Sequence, residues 1–337
     1  MRLLASMNRQ VSRSTDSQAQ RWETAEALLP SPAAPAVLTA GNDESIDDES
    51  IDESIDESIG GNTIHVLAKP YAGGETLSCS EASVERATEA HRLRLLSYNI
   101  QSGLSTSKYS HYVTRSWQHV VPVPSRMINL DGIAEVAADY DIVGLQEVDT
   151  GSLRSGFVNQ VKYLAERGGF QYVFDQSNRR IGVISQHSNA MLSRLRPSRI
   201  EEHKLPGMPG RGVLRVRFGK GANALHVFIL HLALGRRSRS RQVSFLADIV
   251  SDYRNVIVMG DLNCPSDSSE MNLLLRAGNL CQPEPGLYTF PSWHPTRQLD
   301  HILVSPTIQV ERVAVLNYTF SDHRPIAMEV NVTGLSD

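Results

Sequence analysis

The sequence predicts an α/β domain in which mixed strands form a sheet sandwich flanked by helices. Short apolar runs bounded by Gly, Asn, Asp and Ser recur between residues 92 and 333, as expected of buried strands. Amphipathic segments separate some of these runs, whereas other runs follow one another directly. This mixture is typical of sheets covered by helices. Composition changes once, near Arg92, so the remaining residues, about 245, are expected to form one domain.

The first half of the predicted domain alternates strands and helices before it turns to consecutive strands. An apolar run at 93–100 predicts a strand, and apolar residues at helical spacing predict a helix at 125–138. A buried strand follows at 141–145. Phe157, Val161 and Leu164 share one face of a second predicted helix, which the next glycines bring to an end. Four short strands are then predicted, near 172–174, 189–192, 213–218 and 225–230.

The second half returns to alternation. An amphipathic segment predicts a helix at 237–250, and the apolar run from Val256 predicts the strand that follows it. A shorter helix is predicted near 268–277. The remaining apolar runs predict three strands, at 300–304, 309–316 and 325–332.

The first 60 residues have a different character. They are rich in Ser, Ala, Gln and Pro, and an Asp-Glu-Ser-Ile repeat places nine carboxylates between residues 43 and 57 without one Lys or Arg. Repulsion between like charges disfavours a helix there, so disorder is the expectation. The predicted organisation is a disordered leader at 1–60, a linker at 61–91, the domain at 92–333 and a short tail at 334–337.

Charge is divided unevenly between these parts. Residues 1–90 hold 16 acidic and 6 basic residues, whereas residues 91–337 hold 21 and 27, which gives net charges of −10 and +6. A moderately basic domain is compatible with a phosphate-bearing substrate. An acidic leader that covers this basic domain is an alternative use of the same charges.

Cysteine usage and hydropathy indicate a compartment. The three cysteines, Cys79, Cys264 and Cys281, show no metal-binding spacing and form an odd set, which argues against a disulfide framework and indicates a reducing compartment. The N-terminus begins like a signal peptide, but polar and charged residues interrupt its apolar core, and no stretch has membrane-spanning character. We therefore expect a cytoplasmic monomer without a transmembrane segment.

The strand that opens at Val256 ends in chemically capable side chains. Gly260 marks its end, and Asp261 and Asn263 follow two positions apart. If the extended geometry continues, both side chains project from the same face at the carboxyl end of the strand, where α/β proteins often hold their active sites. An Asx turn that merely closes the strand is the alternative.

Other predicted strands also begin or end in functional groups. Taken singly, each has an ordinary explanation: Glu147 as a solvated loop carboxylate, or His231 as a core histidine. Together they supply oxygen ligands without a thiolate, which suit Mg²⁺ or Mn²⁺, and imidazoles that can stabilise a phosphate transition state. The set comprises Asn99, Glu147, His231, Asp261, Asn263, Asp300, Asp322 and His323.

Seven motifs in order resemble those of the endonuclease/exonuclease/phosphatase superfamily. They begin at Tyr98, Leu145, Asn189, His231, Gly260, Leu299 and Ser321 and read YNIQSG, LQEV, NAMLSR, HL, GDLN, LDHI and SDHRP. The resemblance covers about 92–333 and implies a four-layer α-β-β-α sandwich of two mixed, mainly antiparallel sheets, as in DNase I. It also implies a Mg²⁺- or Mn²⁺-dependent hydrolase of phosphate esters, such as a nuclease-like phosphodiesterase.

The resemblance further implies a role for each matched residue. Glu147 would be the principal metal ligand, Asn99 and Asp322 would lie near the metal, and Asn189 would contact the substrate phosphate. Asp261 would orient and deprotonate the attacking water, and Asn263 would help to fix the phosphate. His323, oriented by Asp300, would contact the scissile phosphate, and His231 would assist the leaving group. Two residues depart from the pattern, Ser188 and His301, and His301 and His187 are expected to be structural.

The substrate stays open at this level. Arg236, Arg237, Arg239 and Arg241 follow His231 and either bind phosphate or form a solvated helix turn. Phe290 and Trp293 either stack on a base, contact an acyl chain or pack in their loop. The alternatives are a phosphodiesterase of nucleic acid, the same chemistry on a phospholipid or small phosphate ester, and a non-catalytic binding module on this fold.

Overall fold

The computed structural model describes residues 90–103, 125–181, 185–207, 209–333 and 335. The predicted acidic leader, all but the end of the predicted linker, and most of the predicted tail lie outside the described residues. Of residues 125, 154, 177–181 and 185–187, only the backbone is described.

The described residues form eleven strands and four α-helices. The first half consists of β1 (Ala90–Asn99), α1 (Ser125–Ala137), β2 (Ile142–Val148), α2 (Gln160–Gly168), β3 (Tyr172–Ile181), β4 (Ser185–Ser193), β5 (Arg199–Lys204), β6 (Gly212–Phe218) and β7 (Leu225–His231). The second half consists of α3 (Arg236–Val250), β8 (Asn255–Asp261), α4 (Ser269–Ala277), β9 (Asp300–Val304), β10 (Gln309–Val315) and β11 (Ile326–Thr333).

The strands form two mixed sheets. The six-stranded sheet has the order β10-β11-β1-β2-β4-β3, and the five-stranded sheet has the order β5-β6-β7-β8-β9. Each sheet contains one parallel pair, β1 with β2 and β7 with β8, and its other pairs are antiparallel. The predicted mixed, mainly antiparallel sheets are confirmed.

Three apolar layers hold four layers of secondary structure together. Alternate strand residues face opposite sides of a sheet, so Leu96 of β1 packs against Leu130 and Leu164 of α1 and α2, whereas Leu95 faces the second sheet. Between the sheets, side chains such as Leu95 and Met259 interdigitate. The far face of the five-stranded sheet packs against apolar residues of α3 and α4. This arrangement is the α-β-β-α sandwich that the resemblance implied.

Two details of the prediction were wrong. Phe157 lies outside α2, which begins at Gln160, because Asn159 caps the helix by accepting a hydrogen bond from the Lys162 amide at 3.1 Å. Strand β5 was missed because its sequence, Arg-Ile-Glu-Glu-His-Lys, lacks apolar alternation. It lies at an edge of its sheet, where polar side chains are tolerated.

No helix in the described part of the chain is long and apolar enough to cross a bilayer.

Candidate active site

Strand register brings the predicted functional residues of the second sheet together at the ends of three neighbouring strands. His231 ends β7 beside Asp261, the last residue of the parallel strand β8, and Asp261 pairs in turn with Asp300, the first residue of the antiparallel strand β9. Gly260 permits the close approach of these strands. It has a φ of +151°, and a Cβ atom there would lie 1.9 Å from the Leu230 carbonyl oxygen, so no other residue fits.

An Asx turn fixes the loop that follows Asp261. The Asn263 amide donates to Asp261 Oδ1 at 3.0 Å, and Asn263 adopts a φ of +52°. The expectation that extended geometry continues to Asn263 was therefore wrong. The Asn263 amide nitrogen Nδ2 instead donates to the Leu232 carbonyl at 3.0 Å. The turn occupies only one carboxylate oxygen of Asp261. The other oxygen, Oδ2, faces the side chains of Asn99, His231 and His323, and this site is called the pocket below.

Asp261 Oδ2 lies at the centre of a group of nitrogen atoms from both sheets. Asn99 Nδ2, at the end of β1, donates to it at 3.0 Å. His231 Nε2 lies 3.3 Å away and His323 Nε2 lies 3.8 Å away. All four side chains are at least nine-tenths buried. The two imidazoles thus flank one buried carboxylate oxygen.

A carboxylate orients His323. Its Nδ1 lies 2.7 Å from Asp300 Oδ2, which also accepts a hydrogen bond from the Thr289 hydroxyl at 2.6 Å. Burial lowers the pKa of His323, but the charges of Asp300 and Asp261 outweigh burial and raise this pKa well above 6.5. The raised pKa favours the form of His323 that has protons on both ring nitrogens, and in that form Nε2–H is directed toward Asp261.

Burial changes the pKa of Asp261 in the direction opposite to its effect on His323, because the charged form of an aspartate is the deprotonated one. It raises the pKa of Asp261 to about 7, and the charge of Asp300 adds to this effect, whereas the His323 cation and the Asn99 hydrogen bond lower the pKa. A carboxylate with a pKa near neutrality is suited to exchange a proton with a bound water.

An arginine orients His231, and sequence reasoning missed it. Arg211 Nη1 lies 2.7 Å from His231 Nδ1, and Glu147 Oε1 lies 3.9 Å from the same nitrogen. A guanidinium can only donate, so His231 Nδ1 must accept and the ring carries its proton on Nε2. The available signal was position: β6 is antiparallel to β7, so the residue that precedes β6 lies beside the end of β7.

The metal donors of the prediction are distributed around this pocket. The Glu147 side chain retains 29% of its exposure, so its carboxylate is open to a cation. Asn99 Oδ1 accepts the Gln101 amide at 3.2 Å and keeps a second lone pair. Asp322 accepts the Ser321 hydroxyl at 3.1 Å, and its charge contributes to the raised pKa of His323. An oxygen-donor set of this kind fits Mg²⁺ or Mn²⁺.

A second group could also hold a metal ion by its spacing. Ligand atoms of Asp261, Asp300 and His323 all lie within 4.8 Å of one another, and Asp300 Oδ1 is buried without a hydrogen-bond partner among the described residues. The proton that Asp300 stabilises on His323 opposes coordination by that imidazole. The oxygen donors near Glu147 are therefore the better fit to a hard cation.

The remaining predicted residues lie farther from this centre. Asn189 is buried and donates to the Gly212 carbonyl at 3.0 Å, next to Arg211. Arg236 bonds the Ser269 hydroxyl at 3.2 Å on α4, and Arg237 is exposed. Arg239 is buried and paired with Glu270 at 3.0 Å, so it cannot belong to an open phosphate-binding patch.

Two further predictions concern residues beside the pocket. The buried ring of His301 lies 2.9 Å from the Cys264 carbonyl oxygen, which agrees with a structural role. The His187 side chain lies outside the described residues. Phe290 packs against His323, with ring centroids 4.9 Å apart, and so supports that imidazole.

The four-layer sandwich and the carboxylate–imidazole pocket at its edge define a DNase I-like protein. The model of the Endonuclease/Exonuclease/phosphatase family matches residues 96–323, and the chain belongs to this family. Members of this family act on phosphate esters and generally depend on divalent metal ions. A search of curated protein sequences gives no significant match.

Solved structures share the fold at low sequence identity. An endonuclease/exonuclease/phosphatase from Beutenbergia cavernae DSM 12333 is 20% identical, with 72% of each chain covered and a TM-score of 0.58. The mannosyl-6-phosphatase Bt3783 of Bacteroides thetaiotaomicron VPI-5482 is 19% identical, covers 71% of this chain and 99% of its own, and has a TM-score of 0.54. The human Nocturnin catalytic domain with bound sulfate is 16% identical, with coverages of 72% and 95% and a TM-score of 0.53.

Proposed function

We propose that this protein is a Mg²⁺- or Mn²⁺-dependent phosphodiesterase. One observation carries the proposal: a buried carboxylate oxygen of Asp261 faces two imidazoles that their neighbours hold in different protonation states. A base, a neutral donor and a cation around one point are what in-line attack of water on a phosphate requires. Membership of a family of phosphoesterases supports the proposal.

Asp261 is the proposed general base. Its Oδ2 accepts a proton from the attacking water, and the Asn99 amide and the Asx turn keep the carboxylate in place. The raised pKa makes this carboxylate a stronger base than an exposed aspartate. Glu147, Asn99 and Asp322 would hold the metal ion, which would neutralise phosphate charge and polarise the phosphorus–oxygen bonds when bound.

The two histidines receive different tasks. The His323 cation donates Nε2–H to the phosphate as negative charge develops, and Asp300 keeps the ring charged and oriented. His231 donates a hydrogen bond from neutral Nε2–H and does not supply a second cation. Arg211, which fixes that tautomer, places its own positive charge beside Glu147 and the pocket.

The substrate is a phosphate ester, and we propose a diester as the first choice. The site presents two hydrogen-bond donors, His323 and His231, which match the two non-bridging oxygens of a diester. Nucleic acid, phospholipid and small esters all contain this group. We also propose a cytoplasmic location and a monomeric state; the buried Cys264 is a free thiol, in keeping with a reducing compartment.

Hydrolysis of bis(p-nitrophenyl) phosphate tests the proposal. We expect turnover with Mg²⁺ or Mn²⁺, loss of turnover in EDTA and recovery when the cation is restored. Asp261→Ala should lower kcat by at least about 10²-fold, as expected when a general base is removed. Leu273→Ala is the matched control, since this residue lies on the outer helix α4, 41% exposed and away from the pocket.

Two results would refute the assignment. Full activity in Asp261→Ala would show that another group deprotonates the water. Metal-independent turnover that survives extensive chelation would remove the proposed cofactor.

A further inference from the structure

The loop between β2 and α2 contains Phe157, whose backbone conformation and solvent exposure are both unfavourable for a phenylalanine. Phe157 has a φ of +63° and keeps 66% of its exposure. Residues with a side chain avoid this region of backbone space, and an exposed phenyl ring gains little from burial. The positive φ angle and the exposed ring therefore both count against a phenylalanine at this position as a matter of stability.

Other strained residues of the domain concentrate at the pocket. Six non-glycine residues in the described part of the chain have positive φ angles, and four of them, Gln101, Ser102, Glu147 and Asn263, belong to segments that form the pocket. Asn279 follows α4, where an asparagine commonly ends a helix. Phe157 is the sixth. Backbone strain of this kind clusters at active sites, where function retains it.

A buried carboxylate makes the Phe157 loop rigid. Asp149 is fully buried and accepts hydrogen bonds from the Gly151 amide at 2.9 Å and the Ser152 amide at 2.7 Å. It also accepts the hydroxyls of Ser152 and Ser155, at 2.5 Å and 3.0 Å. The Phe157 amide donates to the Ser152 carbonyl at 2.8 Å. The phenyl ring is thus displayed on a fixed backbone.

Hydrogen bonds also join this loop to the segment that carries Glu147. The Asp149 amide donates to Gln160 Oε1 at 2.9 Å, and Gln160 Nε2 donates to the Ser102 carbonyl at 2.7 Å. The Ser102 hydroxyl donates in turn to the Glu147 carbonyl at 2.8 Å. The loop and the proposed metal ligand are therefore held in one network, and a group bound at the metal is presented at a fixed position relative to the loop.

We propose that Phe157 contacts the substrate outside the scissile bond, by stacking on a planar aromatic group that the phosphate retains. The inference rests on the proposed phosphodiesterase function and narrows its substrate to aryl or nucleobase-bearing diesters. Stacking of a base on an aromatic side chain strengthens binding by about 5- to 150-fold. A ring on a rigid loop loses little conformational freedom when it binds, which keeps the entropic cost of binding low.

Two substrates with the same leaving group test the proposal. Bis(p-nitrophenyl) phosphate retains an aryl group after cleavage, whereas methyl p-nitrophenyl phosphate retains only a methyl group. Phe157→Ala should lower kcat/KM for the first by about tenfold, mainly through KM, and for the second by less than about twofold. Phe157→Tyr should retain the wild-type ratio of the two values, and Phe157→Leu should not.

A stability measurement separates this contact from a structural role. Glycine adopts positive φ without strain, so Phe157→Gly should keep or raise the melting temperature while it lowers kcat/KM for the aryl substrate. Leu273→Ala removes a similarly apolar, partly exposed side chain from α4 and should change neither quantity. A fall in the melting temperature of Phe157→Gly would overturn the proposal.

The outcomes distinguish this inference from the function on which it rests. If wild type hydrolyses neither diester with any divalent metal, the proposed function fails and the inference falls with it. If wild type hydrolyses both and Phe157→Ala leaves the ratio unchanged, only the inference fails. Weaker sedimentation of Phe157→Ala with sphingomyelin vesicles, together with an unchanged ratio, would overturn it in favour of a lipid contact.

Discussion

The pocket contains two histidines, His231 and His323, whose Nδ1 atoms have opposite hydrogen-bond roles. On the β7 side, the Arg211 guanidinium faces His231 Nδ1 at 2.7 Å and forces that nitrogen to accept. On the β9 side, the Asp300 carboxylate faces His323 Nδ1 at the same distance and forces that nitrogen to donate. Both rings then direct Nε2 toward Asp261 Oδ2. These contacts favour a neutral donor at His231 and a cation at His323.

The difference teaches that the neighbour of an imidazole sets its chemical task. Burial alone would leave both rings neutral, since it disfavours the charged form. Burial does so at His301, whose pKa falls to about 4 although Asp300 is its chain neighbour. His323, with the carboxylates of Asp300 and Asp261 close to its ring, has a raised pKa. The pocket therefore holds one extra positive charge beside the proposed base, at the position where phosphate charge would develop.

The largest predicted difference between the two histidines is the loss of kcat when each is replaced by glutamine. Glutamine can donate a hydrogen bond but carries no charge, so it replaces the function of His231 better than that of His323. We expect His323→Gln to lower kcat on bis(p-nitrophenyl) phosphate by about 10²- to 10³-fold and His231→Gln by about tenfold. Equal losses in the two variants would contradict different protonation states.

Removal of the orienting carboxylate should shift the pH dependence. The Asp300 charge raises the pKa of His323, so Asp300→Asn should lower it, and the protonated ring should be lost at a lower pH. We expect the alkaline limb of the kcat profile to move to lower pH, together with a lower maximal rate. The measurement is kcat from about pH 6 to pH 9. An unshifted limb would mean that a group other than His323 titrates there.

Removal of Arg211 should release the other histidine. Arg211→Met deletes the donor that occupies His231 Nδ1, so this nitrogen becomes available to take a proton. We expect kcat/KM to fall about tenfold at neutral pH and further in acid, with Arg211→Lys recovering part of the loss. Wild-type kinetics in Arg211→Met would remove Arg211 from the site.

A third histidine provides a comparison without catalysis. Burial lowers the pKa of His301 to about 4, whereas an unfolded histidine titrates near 6.5. The unfolded state therefore binds the proton first, and His301 costs stability as pH falls from about 6.5 toward 4, by up to about 3 kcal/mol. The melting temperature of His301→Gln should fall less steeply across this range than that of wild type. Parallel curves would contradict the lowered pKa.

Most helices and strands could be predicted from the sequence because their apolar residues follow simple patterns. Buried strands such as β8 are continuous apolar runs, and α3 and α4 show helical spacing. Strand β5 escaped because an edge strand with charged side chains has no apolar pattern. Phe157 was assigned to a helix because its spacing to Val161 matches one helical turn, whereas the Asn159 cap decides where α2 begins.

The candidate site was only partly predictable, for a physical reason. Residues at strand ends, such as His231 and Asp261, meet because strand register places them together. Arg211 precedes β6 in a loop, and only the antiparallel pairing of β6 with β7 reveals that it meets His231. The direction of Asn263 depends on a φ of +52° in the Asx turn, which the residue pattern allowed as an alternative but did not decide. Single sequence positions could therefore suggest the chemistry but not which group holds which tautomer.

The most direct test of the central claim is nitrogen-15 NMR of the histidine rings at pH 7, assigned with His231→Gln and His323→Gln. We predict that His323 carries protons on both ring nitrogens and that His231 carries one, on Nε2. Two neutral rings, two charged rings, or a His231 proton on Nδ1 would contradict this prediction.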